Sequence, residues 1–217
     1  MHLALRRRIL RNELAPGTRM SEIDTAADYE VSRQPVREAF IKLAEEGLLE
    51  VRPQRGTFVR KISIKAVMDA RFVREAVESD VVRAAARAHD PEVAADLLRQ
   101  IDDQRRAVEE GFERFIQLDE RFHQTLAQAA GVSGAWQVLE TLKLQMDRVR
   151  YLSVMRFPME KLLAQHEAVA RAIEAGDEAA AEAAMRHHLR EILSDLPEIA
   201  LANPDLFEQS GPARDLG

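Results

Sequence analysis

The sequence predicts a mainly α-helical protein in two parts, a front segment carrying one β-hairpin and a longer rear segment that is helical throughout. Three observations lead there. Hydrophobic residues make up 46% of the 217 positions, charged residues 31% and aromatics only 5%, a balance typical of helical globular chains and unlike disordered or β-rich ones. The only confident strand signal is confined to residues 48–59, where two short runs flank Pro53-Gln54-Arg55-Gly56. Charge is also divided: residues 1–62 hold 12 Lys/Arg against 9 Asp/Glu, while the remainder holds 19 against 28. A basic front and an acidic rear suggest different partners, the first of them an anion.

Further classes are excluded by what the chain lacks. Without cysteine it can form neither disulfides nor thiolate metal sites, so any transition metal must sit on histidine and carboxylate. Charges interrupt every apolar stretch well short of the roughly 20 residues a membrane span requires, and the Met1 end has no signal-peptide apolar core. A soluble, cytoplasmic protein with no membrane partner is expected. Three regions follow, at 1–62, 63–197 and 198–217, the last a mobile tail in which the helical pattern fades.

In the front region Leu5, Ile9 and Leu10 recur at helical spacing and Ala15-Pro16-Gly17 stops them, predicting a helix over 3–13. Ser21 followed by Asp24 opens a second helix over 21–28. Ser32 caps a third that runs to Glu46, with Pro35 in its first turn, where amide hydrogens lack intrahelical partners anyway. Strands at 48–51 and 57–59 complete the plan of a winged helix-turn-helix. Helices over 63–89, 91–110, 112–130, 134–155, 159–175 and 178–196 follow, separated by Asp90-Pro91, Gly111, Gly131, Pro158, Gly176-Asp177 and Pro197, and their short loops imply an antiparallel bundle.

Arg33, Gln34 and Arg37 lie on the first turns of the third helix. Guanidinium groups grip guanine or phosphate in bidentate fashion and glutamine reads adenine, so these residues form a candidate major-groove edge. Arg55 and Gly56 offer a charge beside a residue without a side chain at the wing tip, and Arg6, Arg7, Arg8 and Arg11 could face the sugar-phosphate rail. The stretch VSRQPVREAFIKLAEEGLLEVRPQRGTFV, preceded by ILRNELAPGTRMSE, closely resembles the DNA-binding domain of the GntR family of bacterial transcription regulators. That resemblance implies operator contacts by Arg33, Arg37 and Gly56, with Gln34 and Arg55 as further candidates. One departure is Thr25-Ala26-Ala27-Asp28-Tyr29-Glu30, which replaces the usual Leu-Ala-x-x-Leu-Gly and loses a leucine and the turn glycine.

In the rear region Asp119 and His123, four residues apart, share a helix face with Phe112, Phe115, Ile116, Leu126 and Ala130. An acid and an imidazole inside an apolar stripe need partners. His166 repeats the anomaly among Leu162, Val169 and Ile173, and His188 among Ala181, Ala184, Met185 and Ile192. His166 lies ten residues before Gly176 and His188 twelve after it, so an antiparallel hairpin brings them nearly level. Each alone is better explained by a core histidine bonded to a carbonyl or carboxylate; all four together favour a metal. VREAVESDVVRAAARA, LDERFHQTLAQAAG and QHEAVARAIEAGDEAAAEAAMRHHL resemble the FCD ligand-sensing domain of FadR-type GntR regulators. The resemblance implies a divalent metal, zinc or nickel, on Asp119, His123, His166 and His188, with a small organic acid bound beside it. A five- or six-coordinate ion keeps positions free for a carboxylate, and Arg74, in the stripe Val67, Ala70, Val77, Val81, is the first candidate for its counter-charge, with Arg148 second. Ion pairs with glutamate would equally explain both arginines.

The expected protein is therefore a homodimeric, metabolite-responsive transcription regulator on a short palindromic operator, not an enzyme. The alternative is a metal-dependent hydrolase or lyase with a DNA-binding front end, since a histidine site with open positions can activate water. No separate acid–base constellation supports it: Glu120 and Glu167 read as solvent-facing.

Overall fold

A computed structural model describes residues 1–153 and 159–208. Its order is α1 (His2–Leu10), β1 (Arg19–Met20), α2 (Glu22–Asp28), α3 (Arg33–Glu45), β2 (Leu49–Arg52), β3 (Gly56–Val59), then α4 (Ile64–Ala88), α5 (Pro91–Glu110), α6 (Phe112–Ala129), α7 (Ser133–Leu142), α8 (Leu144–Ser153), α9 (Met159–Glu174) and α10 (Glu178–Ala202). The described residues divide into two compact units: 1–68, 144–152 and 196–208 form the first, and 69–143, 153 and 159–195 the second.

In the first unit, Ser21 caps α2 by accepting from the Asp24 amide at 3.3 Å. Ser32 occupies the cap position of α3 in extended conformation but makes no side-chain bond there. Helix α3 buries Val36, Ala39, Phe40 and Leu43, which pack with Leu5 and Ile9 of α1, Leu48, Leu49 and Val59 of the hairpin and Leu144 of α8. The antiparallel sheet has the order β1-β3-β2, pairing Leu49 with Val59 and Arg19 with Phe58. Strand β1 went unread because two residues are too few to show a period of two. Helix α1 ends earlier than 13 because Asn12 takes a left-handed φ of 57°, which asparagine tolerates better than most residues.

The structure departs from three of these expectations. The helix expected over 134–155 is broken at Lys143, giving α7 and α8, and α8 belongs to the first unit; residues 154 and 155 lie outside the described residues, as does Pro158. Lys143 is almost fully buried, bonded to Glu120 at 2.7 Å, a side-chain interaction that periodicity does not reveal. Pro197 does not stop α10, which continues to Ala202. Proline costs a helix one hydrogen bond and some strain, but Leu196 and Ile199 on either side are buried. The chain then pairs Phe207 with Ile62 in a parallel bridge and buries the Phe207 ring, so residues 198–208 are structured where a tail was expected. Gly211-Pro212 lies outside the described residues.

In the second unit α5 packs on α6 and α9, and α6 on α7. Asp90 caps α5 by accepting from the Glu92 amide at 2.8 Å, with Pro91 as first helical residue. The core gathers Leu97 and Ile101 of α5, Phe115, Phe122 and Leu126 of α6, Trp136 of α7, Val169 and Ile173 of α9, and Met185 and Leu189 of α10.

Candidate functional site

That apolar core encloses the four polar residues the stripes had singled out. Asp119, His123, His166 and His188 are all buried, and one ligand atom from each lies within 4.8 Å of the others. The i, i+4 spacing on α6 supplies Asp119 and His123, while α9 and α10 contribute one imidazole each. His166 Nε2 lies 3.3 Å from His188 Nε2 and 3.3 Å from Asp119 Oδ1. Bonds of about 2.0–2.1 Å to a tetrahedral ion would set ligand atoms about 3.3 Å apart, so the spacing suits a metal.

Hydrogen-bond accounting decides which ring nitrogens face the centre. Gln104 on α5 donates through Nε2 to the Leu118 carbonyl at 3.4 Å, which turns its Oε1 to His166 Nδ1 at 2.7 Å. Gln165 on α9 donates to Glu191 Oε2 at 2.9 Å and turns its Oε1 to His188 Nδ1 at 3.0 Å. A carbonyl and a carboxylate can only accept, so both amides are fixed, and each Nδ1 must carry the proton. His123 Nδ1 lies 2.5 Å from Glu78 Oε2 in an ion-pair contact, so an oxygen also stands behind this ring and Nε2 is the nitrogen left to the centre. All three Nε2 lone pairs are thereby turned inward beside a carboxylate. Three imidazoles and a carboxylate gathered at one buried centre are a donor set suited to a cation. The donor set fits a metal, and the oxygen partners behind each ring are those that orient metal-bound histidine.

Glu78, Gln104 and Gln165 escaped the sequence reading. Gln104 carried the same signal as the histidines, a polar residue in the apolar stripe Leu97, Ile101, Gln104, Val108; Glu78 and Gln165 carried none. Glu78 Oε1 accepts from Arg74 Nε at 2.6 Å, and Arg74 is itself buried. Burial alone would raise the Glu78 carboxyl, but Arg74 and then His123 outweigh it and hold it at about 2. Arg74 thus stands one residue behind a candidate ligand. Arg148 belongs to α8 of the first unit, where it is buried with Nη1 3.4 Å from Gln145 Oε1 and its carbonyl accepting from Asn12. Burial, then the charge of Arg60, lowers its guanidinium to about 10. The helix break at Lys143 places it there. His187 is exposed, and His2 pairs with Glu46. Glu120 and Glu167 are tied to Lys143 and Arg105, the latter at 3.1 Å.

On the first unit, Arg33, Gln34, Arg37 and Arg55 are all exposed, and Gly56 takes a left-handed φ of 109°. Arg33 reaches Glu22 at 3.3 Å and Gln34 donates to Glu38 at 2.9 Å. Of the α1 arginines, Arg6 pairs with Glu46 and Arg8 and Arg11 with Glu13, whereas Arg7 is exposed. Residues 2–59 match the model of the bacterial regulatory proteins of the gntR family, and residues 69–191 match the FCD domain.

The chain belongs to the GntR family and carries an FCD domain. It is 44% identical over 207 residues to the HTH-type transcriptional repressor RspR of Escherichia coli K12, covering 94% of this chain and 91% of that one. A regulator from an unstable DNA locus of Streptomyces ambofaciens is 39% identical, with 95% and 88% covered. Among solved structures, E. coli McbR/YncC shares the fold at a TM-score of 0.76 and 18% identity, covering 91% of this chain and 95% of its own. A GntR transcriptional regulator from Rhodococcus sp. RHA1 gives 0.70 at 27% identity, covering 91% and 95%. The GntR protein is thus a DNA-binding transcription regulator and not an enzyme, which removes the hydrolase or lyase alternative. FCD domains often bind metal, and this one holds a possible His/Asp site. No helix among the described residues is long and apolar enough to cross a membrane.

The departure noted in the GntR pattern has a structural consequence. Glu30 occupies the turn after α2 with a φ of 52°, and the Val31 amide donates to the Ala26 carbonyl at 3.0 Å. The turn forms without glycine, and Thr25 and Ala26 still bury; the missing residue costs strain rather than fold.

Proposed function

We propose that this regulator binds a short palindromic operator as a homodimer in the cytoplasm, and that a small organic acid at or beside a metal in the FCD domain controls its DNA affinity. Base and backbone contacts are assigned to Arg33, Gln34, Arg37, Arg55 and Gly56. Paired recognition helices reading two half-sites require two-fold symmetry. Asp119, His123, His166 and His188 are assigned to a divalent ion, zinc or nickel, because three imidazoles and one carboxylate suit borderline metals better than magnesium or calcium. The observation that carries this reading is the inward turn of three Nε2 lone pairs beside a buried carboxylate.

Bound there, the ion would supply positive charge and open positions for an acid's carboxylate. Arg74 is assigned the second half of that recognition: Glu78 fixes its Nε, while its buried Nη1 has no hydrogen-bond partner among the described residues. If the acid favours one arrangement of the regulator and DNA the other, each must change the affinity of the other by the same factor. The naming of the E. coli relative as a repressor supports release from DNA by the effector.

Elemental analysis of the wild type and of a His123→Ala, His188→Ala variant tests the centre, with metal expected only in the wild type. Stoichiometric metal in the variant would sink the ligand assignment. Screening organic acids for release of a labelled duplex, selected from a random pool by the full-length protein, tests the effector. An acid that releases DNA from the wild type but not from Arg74→Met is the expected result.

A further inference from the structure

We infer that Arg19 is a DNA-backbone contact of the wing, and that Gly56 lacks a side chain in order to seat it. The register puts Arg19, Phe58 and Glu50 in one cross-strand row, with Arg52 and Gly56 in the next row on that face; side chains of adjacent positions alternate between faces. Leu49, Val59 and Met20 occupy the opposite face and are buried. The Arg19 face is therefore the outer one, and Arg19, Arg52 and Arg55 on it or at its tip are exposed.

From its row Arg19 extends toward the tip. A Cβ built on Gly56 would lie 3.1 Å from Arg19 Nε, 3.6 Å from Nη2 and 3.8 Å from Cζ, so the guanidinium lies across the glycine backbone. A Cβ there would crowd the guanidinium and make it give by a few tenths of an ångström. On the same face Arg52 sits 4.6 Å over the Phe58 ring and is paired with Glu50. Arg19, by contrast, has no carboxylate partner among the described residues, as is also true of Arg37 and Arg55. Most arginines of the second unit are ion-paired within it. An unneutralised guanidinium beside the wing tip is suited to bidentate contact with a phosphate, the kind of contact that positions a protein without reading sequence.

This inference rests on the DNA-binding reading, and the experiment separates the two. Full-length wild type, Arg19→Ala and Arg33→Ala are titrated against a duplex selected from a random pool and against an unselected duplex, over a salt series. Arg19→Ala should weaken binding to both duplexes alike, by roughly three- to tenfold, and lower the salt slope by about 0.9 per chain. Arg33→Ala should lose preference for the selected duplex. Gly56→Ala should weaken the wild type more than it weakens Arg19→Ala, since in the latter nothing remains to be displaced. If Arg19→Ala leaves affinity and slope unchanged while Arg33→Ala loses preference, the Arg19 assignment is overturned and the DNA-binding reading stands. Arg19 is exposed, so its replacement leaves the fold intact, and matching thermal unfolding of the variants confirms that any loss lies in binding.

Discussion

His166 Nε2 and His188 Nε2 face each other across 3.3 Å, on rings whose Nδ1 protons are committed to the oxygens of Gln104 and Gln165. That spacing suits two ligands of one ion, and the two amides set which nitrogen each ring presents. Replacing Gln104 by leucine leaves the four ligands in place but frees the His166 tautomer. Metal affinity measured by chelator competition should fall about 10- to 100-fold. Trp136, the single tryptophan, stacks on His123 at 5.8 Å, so its fluorescence should follow the same titration. Unchanged affinity would count against the role given to the amide.

Glu75 fastens α4 to α10, accepting from Arg190 Nε at 2.9 Å and Arg186 Nη1 at 3.0 Å and pairing with Arg71. The Arg190 hydrogen bond above all, with that of Arg186, lowers its carboxyl below the usual range despite burial. A lowered folded value means that the stabilisation is present above the unfolded value and disappears as pH falls through the folded one. Glu75→Gln should therefore destabilise the protein at neutral pH by about 1.5–3 kcal/mol. In urea titrations the gap from wild type should narrow as pH drops below about 4.3, the ordinary glutamate value; a gap independent of pH would show that the charge is not what matters.

Glu30 holds a left-handed turn at a φ of 52°, which costs a residue with a Cβ about 1–2 kcal/mol. Glu30→Gly relieves that strain but adds freedom to the unfolded chain, worth about 0.4–1 kcal/mol. The net expectation is a gain of about 0.5–1 kcal/mol, read as a higher unfolding midpoint with DNA binding retained.

Gly176 sits between α9 and α10 with a φ of 68°, and a Cβ there would fall 2.3 Å from His89 Nδ1. Gly176→Ala should be among the more damaging single substitutions outside the core, measurable by thermal unfolding. Adding His89→Ala should recover the part due to collision and leave the backbone part, about 1–2 kcal/mol. Equal losses with and without the histidine would show that collision plays no role.

Several features could be read from residue order alone, because they rest on local rules. Period, caps and breakers gave the three front helices, the hairpin and most of the rear helices, and polar residues interrupting apolar stripes pointed to Asp119, His123, His166 and His188. Family membership was legible from VSRQPVREAF and LDERFHQTLAQAAG for the same reason, since those residues are close together in the chain.

What the tertiary structure decided involves distant residues or costs outweighed by packing. Whether Pro197 ends a helix depends on Leu196 and Ile199 finding a core, and whether α7 and α8 are one helix depends on the buried pairing of Lys143 with Glu120. Arg74 and Arg148 look alike as cations in apolar stripes, yet one lies behind the candidate metal centre and the other in the first unit. The ring orientations are set by Glu78, Gln104 and Gln165, each on a different helix from its histidine and 23 to 62 positions away from it in the chain. Hydrogen-bond donors and acceptors are matched in space, and no one-dimensional pattern records which oxygen a ring nitrogen will meet.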